Sequence, residues 1–147
     1  MRKEIKTVVY DDELRLEAYC FEGVVQPFPN HFHEYYVIGF VEGGERCLSC
    51  RNQEYTIGKG NVILFNPGDS HACIQTDDGT LDYRGFNITK EVTGKRELPG
   101  FSQNVICDEE ITCYLRPLHE LVMNGSLEFG KEESLLFMLS LLIQRYG

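Results

Sequence analysis

Apolar residues between positions 1 and 90 occur in short runs and not at helical spacing. The stretch from His31 to His71 shows this best, with apolar runs at 35–41, 55–57 and 62–65. Short runs separated by Gly, Asn and Pro are typical of strands joined by tight turns. The pattern predicts a meander of short antiparallel strands, with turns at residues 43–44, 51–52, 58–60 and 66–68.

Further strands are predicted on both sides of this stretch. Residues 5–10 and 14–21 form two strands joined by an acidic turn, and residues 81–88 form a later strand. Successive side chains in a strand point to opposite faces of the sheet. The later strand therefore has one face with Asp82, Arg84 and Phe86 and another face with Leu81, Tyr83 and Gly85.

The apolar spacing becomes helical from Asp108 onwards. Asp108 is a suitable N-cap for a first helix that ends near residues 124–125. Pro117 lies within this helix and should either kink it or begin a second segment. A second helix is predicted over residues 131–146, and its middle is apolar on nearly every face, which indicates burial on more than one side.

The second helix could bury these faces in two ways. It could pack entirely between the barrel and the first helix, or it could place one side on the barrel and the other on a second copy of the chain. A chain of 147 residues does not obviously supply a second internal partner, so we predict a homodimer. The predicted dimerisation residues are Leu135, Met138, Leu139 and Leu142.

Composition narrows the function classes. The 147 residues suffice for one domain, with 23 Asp and Glu against 14 Lys and Arg and a formal net charge of −9. Nucleic acids and anionic membranes would repel such a surface, so these residues are not predicted to touch DNA. Without a signal peptide or a membrane-spanning run, the protein is predicted to be cytoplasmic. The six cysteines are interpreted as reduced, mostly buried thiols, and Cys47 and Cys50 should face opposite sides of a strand.

Three sequence features carry a family resemblance. They are His31-x-His33, the strand YYVIGFVEGGE, and the segment GKGNVILFNPGDSH that ends at His71. Together they resemble the cupin fold, and within it the sensor domain of AraC-type transcriptional regulators. The resemblance implies a mainly β fold, with a cupin-like double-sheet jelly roll or β-barrel and an N-terminal arm at residues 1–90. A linker and a two-helix dimerisation segment of the same domain then follow at 91–147, and a DNA-binding domain is expected beyond residue 147.

The resemblance also implies that a small-molecule effector binds inside the barrel. It places the Arg84 and Phe86 positions towards the cavity, where a guanidinium could hold an anionic or hydroxylated ligand. The predicted function is effector sensing and dimerisation that control a separate C-terminal helix-turn-helix domain, without catalysis and without a membrane partner. The residues expected to contact the effector are His31, His33, Tyr35, His71, Arg84 and Phe86.

Metal chemistry is the alternative. His31, His33 and His71 have the donor type for a divalent transition metal, and Cys73 or water could complete the site. The Glu that metal-binding cupins carry shortly after the second His is missing here, and Glu34 faces away from the histidines. No cofactor is therefore predicted for the regulatory function. The alternatives are a small cupin metalloenzyme, such as a dioxygenase or isomerase, and a storage or scaffold domain without a ligand.

Overall fold

The computed structural model of the chain describes residues 4–25, 28–31, 33–75, 79–89, 91–92, 96–97, 100–126 and 130–147. Within these residues the chain forms twelve strands followed by two helices. The strands are β1 (Ile5–Asp11), β2 (Leu16–Val24), β3 (Phe28–His31), β4 (Tyr36–Gly43), β5 (Glu45–Cys50), β6 (Gln53–Gly58), β7 (Val62–Phe65), β8 (His71–Gln75), β9 (Leu81–Ile88), β10 (Glu91–Val92), β11 (Arg96–Glu97) and β12 (Val105–Ile106). The helices are α1 (Glu109–Met123) and α2 (Lys131–Tyr146).

The strands form two main antiparallel sheets and a small ribbon. The six-stranded sheet has the order β1-β2-β9-β4-β7-β12, the four-stranded sheet has the order β3-β8-β5-β6, and β10 pairs with β11. The prediction of a meander between His31 and His71 is therefore wrong. In this stretch β4 pairs with β7 and β9, while β5 pairs with β6 and β8, because the chain passes from one sheet to the other. The prediction of a double-sheet β fold followed by two helices is confirmed.

The two helices follow the bounds that their sequence predicts. Asp108 caps α1 by accepting a hydrogen bond from the Ile111 N–H at 3.1 Å, and it also accepts one from the Tyr146 hydroxyl at 2.7 Å. Pro117 lies inside one continuous helix, so it does not begin a second segment. Its missing N–H removes one helical hydrogen bond, and burial of Leu115 and Leu118 against the core holds the helix together across this position. Neither described helix is long and apolar enough to cross a membrane.

A buried ion pair joins the start of α2 to the end of β1. Lys131 Nζ lies 2.6 Å from Asp11 Oδ2, and both side chains are almost fully buried. Burial raises the pKa of the Asp11 carboxyl, but the hydrogen bonds from Lys131 and from backbone N–H groups outweigh it, so the net pKa is lowered. The hydrogen bond to Asp11 raises the pKa of Lys131. Both groups are therefore charged at neutral pH, and their attraction holds α2 against the barrel.

The six-stranded sheet separates two apolar clusters. One cluster lies between this sheet and the helices, where Ala18, Ile38, Leu64 and Phe86 form a row of directly paired positions across four strands. The other cluster lies between the two sheets and includes Val37, Ile63 and, from the four-stranded sheet, Leu48 and Ile57. The helices thus cover one face of the six-stranded sheet, and the smaller sheet covers the other.

Candidate functional site

A cavity of about 320 Å³ lies between the two sheets. The inner face of the six-stranded sheet contributes most of its wall, because the registers of β2, β9, β4 and β7 place their inward positions in three adjacent rows. The rows are Phe21 with Tyr83; Tyr19 with Gly85, Gly39 and Ile63; and Glu17 with Asn87, Val37 and Phe65. The lining is completed by Leu81, His33, Tyr35, Ile57, His71 and Cys73.

Two glycines stand side by side in the middle row. Gly39 and Gly85 are directly paired in the β4–β9 ladder. A Cβ on Gly39 would lie 2.1 Å from Tyr83 Oη, and one on Gly85 would lie 2.5 Å from Tyr19 Oη. Both distances are far shorter than a van der Waals contact. The absence of side chains at this pair therefore lets the two tyrosine hydroxyls lie directly on the sheet.

Three aromatic rings form one wall of the cavity. The Tyr19 ring centroid lies 5.0 Å from that of Phe21 and 5.4 Å from that of Tyr83. Burial raises the pKa of Tyr19 well above its usual value, and the neighbouring Tyr83 hydroxyl adds to the shift. Burial also raises the pKa of Tyr83, although the nearby Tyr19 hydroxyl opposes it. Both hydroxyls are therefore protonated at neutral pH.

The Tyr19 hydroxyl is the least satisfied polar group of this wall. The residue is 4% exposed, and its Oη makes no well-formed hydrogen bond to any described residue. We attribute the influence of Tyr83 on its pKa to proximity of the two hydroxyls and not to a formed hydrogen bond. A buried hydroxyl without a partner costs about 1–3 kcal/mol. A polar ligand atom at this place would recover that cost.

Glu17 brings a carboxylate to the edge of the cavity. Its Oε1 accepts a hydrogen bond from Asn87 Nδ2 at 2.8 Å, across the β2–β9 ladder. Burial, and then the negative charge of Glu17, raise the pKa of the Tyr35 hydroxyl. Among the described lining residues Glu17 is the only carboxylate, and none of them is Lys or Arg.

His33 and His71 meet in the cavity beside Tyr35 and Phe65. Their ring centroids are 5.3 Å apart, and His71 stacks on Phe65 with centroids 3.7 Å apart and planes 10° apart. His33 stacks on Tyr35 with centroids 4.7 Å apart. His71 Nδ1 lies 3.1 Å from the Asp69 carbonyl oxygen, a contact that suits an Nδ1–H donor. The structure thus brings together three of the predicted effector-contacting residues, His33, Tyr35 and His71.

The tight turn before β8 positions both histidines. Gly68 has a φ of +86°, which favours glycine, and its N–H donates to the His33 carbonyl at 2.8 Å. Asp69 Oδ2 accepts from the Asn66 N–H at 2.9 Å, which closes the turn. The backbone of β8 begins at His71, opposite His31 of β3. The side chain of His31 lies outside what the structure describes, so its predicted roles stay predictions.

The described donors do not by themselves form a metal site. No group of three His, Cys, Asp or Glu side chains within the described residues is arranged to hold a metal ion. Burial raises the pKa of the Cys73 thiol to about 11, so it is protonated at neutral pH and is a poor ligand in that form. The described part of the site therefore offers two imidazoles, and the three-histidine site stays a prediction that depends on His31.

Arg84 and Phe86 do not line the cavity. Alternation along β9 is as predicted, but the face with Leu81, Tyr83 and Asn87 is the one that borders the cavity. Phe86 is fully buried on the opposite face, in the cluster under the helices, and Arg84 pairs with Cys20 and Phe40 on that same face. The expectation that both positions face the cavity is therefore corrected. The helices cover this face, and so an effector inside the barrel would not reach it.

The predicted dimerisation residues are also placed elsewhere. Leu135, Met138, Leu139 and Leu142 are at most 2% exposed, because they pack on α1 and on the barrel of their own chain. The exposed apolar side chains of the helices are instead Leu136 and Phe137 of α2 and Tyr114 of α1. Within the single chain one side of α2 is buried and the other is exposed, so the alternative of complete packing inside the chain is wrong. Burial of the second side by another copy stays a prediction, and its interface residues need correction.

The cysteines follow the prediction only in part. All six are free thiols, but Cys50 and Cys73 are buried whereas Cys107 and Cys113 are exposed. Cys47 and Cys50 differ in burial, as expected for positions three apart in a strand. This spacing therefore offers no pair of thiols on one face of β5.

His119 was not predicted as an internal residue. A polar residue at this place on the first helix suggests a solvated side chain or a bond between the helices, but His119 is fully buried and its Nε2 lies 2.8 Å from the carbonyl oxygen of Tyr19. Its ring meets Phe40 and Phe86 edge to face. Burial lowers the pKa of this imidazole, so it is neutral at neutral pH. It links α1 to the strand whose side chains line the cavity.

Comparison with known proteins agrees with this geometry. Residues 19–140 match the family described as AraC-like ligand binding domain. The chain belongs to this family. It is also 47% identical to the uncharacterized HTH-type transcriptional regulator YbfI of Bacillus subtilis (strain 168) over 155 aligned residues, which cover 100% of the chain and 56% of the relative. The chain thus spans little more than half the length of that relative.

Solved structures show the same fold at low sequence identity. An rmlc-like cupin family protein with a double-stranded beta-helix fold from Methanocaldococcus jannaschii matches with a TM-score of 0.51 and 13% identity, over 60% of this chain and 83% of the other. The Cnp3 cupin domain of Schizosaccharomyces pombe matches with a TM-score of 0.51 and 9% identity, over 60% of this chain and 66% of the other. The cupin-like fold and the AraC-type resemblance are confirmed, and they support a regulatory sensing domain.

Proposed function

We propose that this chain is the effector-sensing and dimerisation domain of an AraC-type transcriptional regulator, which binds a small molecule between its two sheets. The observation that carries the proposal is the cavity of about 320 Å³, which is within the usual size range of small-molecule sites. Family membership and the regulator relative support it. Contact with DNA is assigned to a helix-turn-helix domain elsewhere in the parent protein, which agrees with the net charge of −9 of this chain.

A signal from the cavity has a short route to the helices. Tyr19 presents its side chain to the cavity and its carbonyl oxygen to His119 of α1. A ligand that moves β2 at Tyr19 would therefore change the position of α1 relative to the sheet. Such a ligand can shift the regulator only by its difference in affinity for the two arrangements.

The exposed faces of the two helices provide the proposed dimer surface. Tyr114 of α1 and Phe137 of α2 pack edge to face with centroids 4.9 Å apart, and Leu136 is exposed beside them on α2. An exposed apolar group of this kind on two neighbouring helices suits a symmetric contact with a second copy. It replaces the buried leucines as the proposed interface.

Thermal-shift screening of a small-molecule library tests the sensing function. We expect at least one compound to raise the Tm of the wild-type chain, and to fail with Val37→Phe, which adds a ring to the cavity wall. The matched control is Val25→Phe, since Val25 is exposed and is not part of the lining. A library without hits, or hits that stabilise Val37→Phe equally, would contradict the proposal. In the full-length regulator the same compound should change operator binding.

Sedimentation velocity tests the dimer surface. Phe137→Glu should convert a dimer into a monomer, because it places charge in the apolar contact. Val8→Glu is the matched control, since Val8 is 54% exposed and Phe137 is 53% exposed. A dimer that survives Phe137→Glu, or a wild-type chain that is monomeric at all concentrations tested, would contradict this part of the proposal.

A metal-dependent cupin enzyme is the second candidate, because His33 and His71 approach each other in the cavity. Metal analysis of the untagged wild-type protein and of His33→Ala with His71→Ala separates the two candidates. Near-stoichiometric metal that disappears in the double variant would favour the enzyme or a metal-dependent sensor. The regulatory proposal expects equal, low metal content in both proteins.

A further inference from the structure

The charges around the cavity indicate which ligands it would accept. Glu17 is the only carboxylate among the described lining residues, and no Lys or Arg lines the wall. The guanidinium that the sequence suggested for an anionic ligand, Arg84, lies on the other face of β9. The buried Arg46 is not part of the lining, and its Nη2 donates to the Val24 carbonyl at 2.7 Å. Within the described lining, an anion would therefore meet a carboxylate and no guanidinium or ammonium. Lys6 lies beside the wall but outside the lining, and its Nζ is 3.2 Å from Glu4 Oε1.

The aromatic wall has the opposite preference. The Tyr19 ring contacts those of Phe21 and Tyr83, and the face of an aromatic ring carries partial negative charge. A cation over such rings is attracted by this charge, and the attraction is stronger at desolvated sites. Phe21 already has a cation near it, since Lys6 Nζ lies 5.7 Å from its ring centroid. A ligand cation inside the cavity would find the same kind of surface.

Two hydrogen-bonding groups at the same wall suit the N–H donors of an ammonium group. Tyr19 Oη is buried without a formed hydrogen bond, and Glu17 lies two residues before Tyr19 on the same face of β2. Asn87 donates a hydrogen bond to one oxygen of Glu17, and this contact fixes the position of the carboxylate within its row of the wall. A hydrogen bond from an ammonium to a carboxylate is charge-assisted and is stronger than one between neutral groups.

The net charge of the whole chain also favours a cationic ligand. With a formal charge of −9, the protein attracts cations and repels anions at long range. We propose that the cavity ligand is a small organic cation, an amine or ammonium group carried on an apolar body. The apolar body would pack on Val37, Ile57 and Ile63, and the cation would lie between Glu17 and the aromatic wall. This inference rests on the proposed sensing function and names the ligand class of its site.

A matched series of three compounds tests the charge preference. The probes are 2-phenylethylamine, 2-phenylethanol and 3-phenylpropionate, which share an apolar body and differ in the charge of the head group. Calorimetric titration of the 147-residue chain at pH 8 keeps the amine protonated, since alkylamines titrate near pH 10.4. We expect the amine to bind about tenfold more tightly than the alcohol, because it gains a charge-assisted contact, and we expect the carboxylate to bind most weakly.

Two glutamates on β2 give the matched variants. Glu17→Gln should weaken binding of the amine about tenfold while leaving the alcohol unchanged, since a single charge-assisted contact is lost. Glu22→Gln is the control, because Glu22 lies on the same strand but outside the lining. Equal losses in both variants would show a general field effect and would overturn the assigned contact.

The outcomes also separate this inference from the sensing function. Tighter binding of the carboxylate or the alcohol in the wild-type chain would overturn the cation inference and leave a small-molecule sensor of another ligand class. Failure of all three compounds to bind would overturn the cation inference as well, and the library screen would still decide whether the cavity binds a small molecule. Amine binding that depends on Glu17 supports both.

Discussion

The two faces of the six-stranded sheet carry different kinds of side chain. On the helix face the row of Ala18, Phe86, Ile38 and Leu64 is apolar and closely packed. On the cavity face the neighbouring row contains Tyr19 and two glycines, and the row beside it contains Glu17 and Asn87. A filled apolar face stabilises the fold, whereas polar groups and missing side chains leave room for a ligand. The comparison separates residues that hold the fold together from residues that are available for function.

The largest effect is expected on the helix face. Phe86→Ala should lower the free energy of unfolding by about 3–5 kcal/mol, because it leaves a cavity under α1. Urea denaturation measures this change. Tyr10→Ala is the control, since Tyr10 is 59% exposed on β1, and it should cost less than about 1 kcal/mol. Equal losses at the two positions would contradict the assignment of the helix face as the main stabilising core.

Gly39→Ala should have the next largest effect. The added Cβ would lie 2.1 Å from Tyr83 Oη, so the Tyr83 ring must move into the cavity. We expect a loss of stability of about 1–3 kcal/mol, as for other overpacked sites, together with loss of ligand binding. Gly60→Ala is not a suitable control, since Gly60 has a φ of +94°. Gly58→Ala is suitable because its added Cβ would be 3.7 Å from the nearest atom. Retained ligand binding in Gly39→Ala would contradict the described packing of the Tyr83 ring on Gly39 beside the cavity.

The contribution of His119 to stability should depend on pH. Burial lowers the pKa of His119 below its ordinary value of 6.5, despite the hydrogen bond to the Tyr19 carbonyl. Between the two pKa values the unfolded chain binds more protons than the folded chain, so stability rises with pH in this range. This contribution is fully present above about pH 6.5 and is lost as the pH falls through the lowered pKa.

Denaturation of the wild type and of His119→Gln between pH 7.5 and pH 5 isolates this contribution. Glutamine has an amide donor for the Tyr19 carbonyl and does not titrate, so the variant should lose less stability on acidification than the wild type. An identical pH dependence of the two proteins would mean that His119 does not contribute to it.

Tyr19→Phe should have the smallest effect on stability. It removes a buried hydroxyl that lacks a formed hydrogen bond, so the free energy of unfolding should stay within about 1 kcal/mol of the wild-type value or rise slightly. Affinity for an amine ligand should nevertheless fall. A large loss of stability in the ligand-free protein would show that the hydroxyl is bonded within the fold.

Local patterns in the sequence predicted individual elements but not their pairing. Strand alternation gave β9, and helical spacing gave α2 with its observed bounds, because both signals depend on neighbouring residues. The pairing of β4 with β7 and β9 depends on contacts between distant segments. For the same reason alternation identified the two faces of β9 but not which face the helices cover. The face that the helices cover can be identified only when the apolar positions of β2, β4, β7 and β9 are considered together.

The site residues show the same limit. His33 and His71 were predicted because their segments resemble a family, whereas Glu17 and Asn87 meet across 70 residues of sequence and had no local signal. For His119 the sequence does carry a local signal. It lies four residues after Leu115 and three before Val122, so it shares their buried face. Its polarity suggests instead a solvated side chain or a bond between the helices, and so the buried position was missed.

Nuclear Overhauser effects between a bound ligand and the methyl groups of the sheet test the central claim most directly. The ligand would be the compound with the largest thermal shift, and the methyl groups would be those of two adjacent pairs, Val37 with Ile38 and Ile63 with Leu64. Within each pair the first residue borders the cavity and the second lies under the helices. We predict contacts from the ligand to Val37 and Ile63 and none to Ile38 and Leu64. Contacts to Ile38 and Leu64 would place the ligand on the helix face and contradict this account.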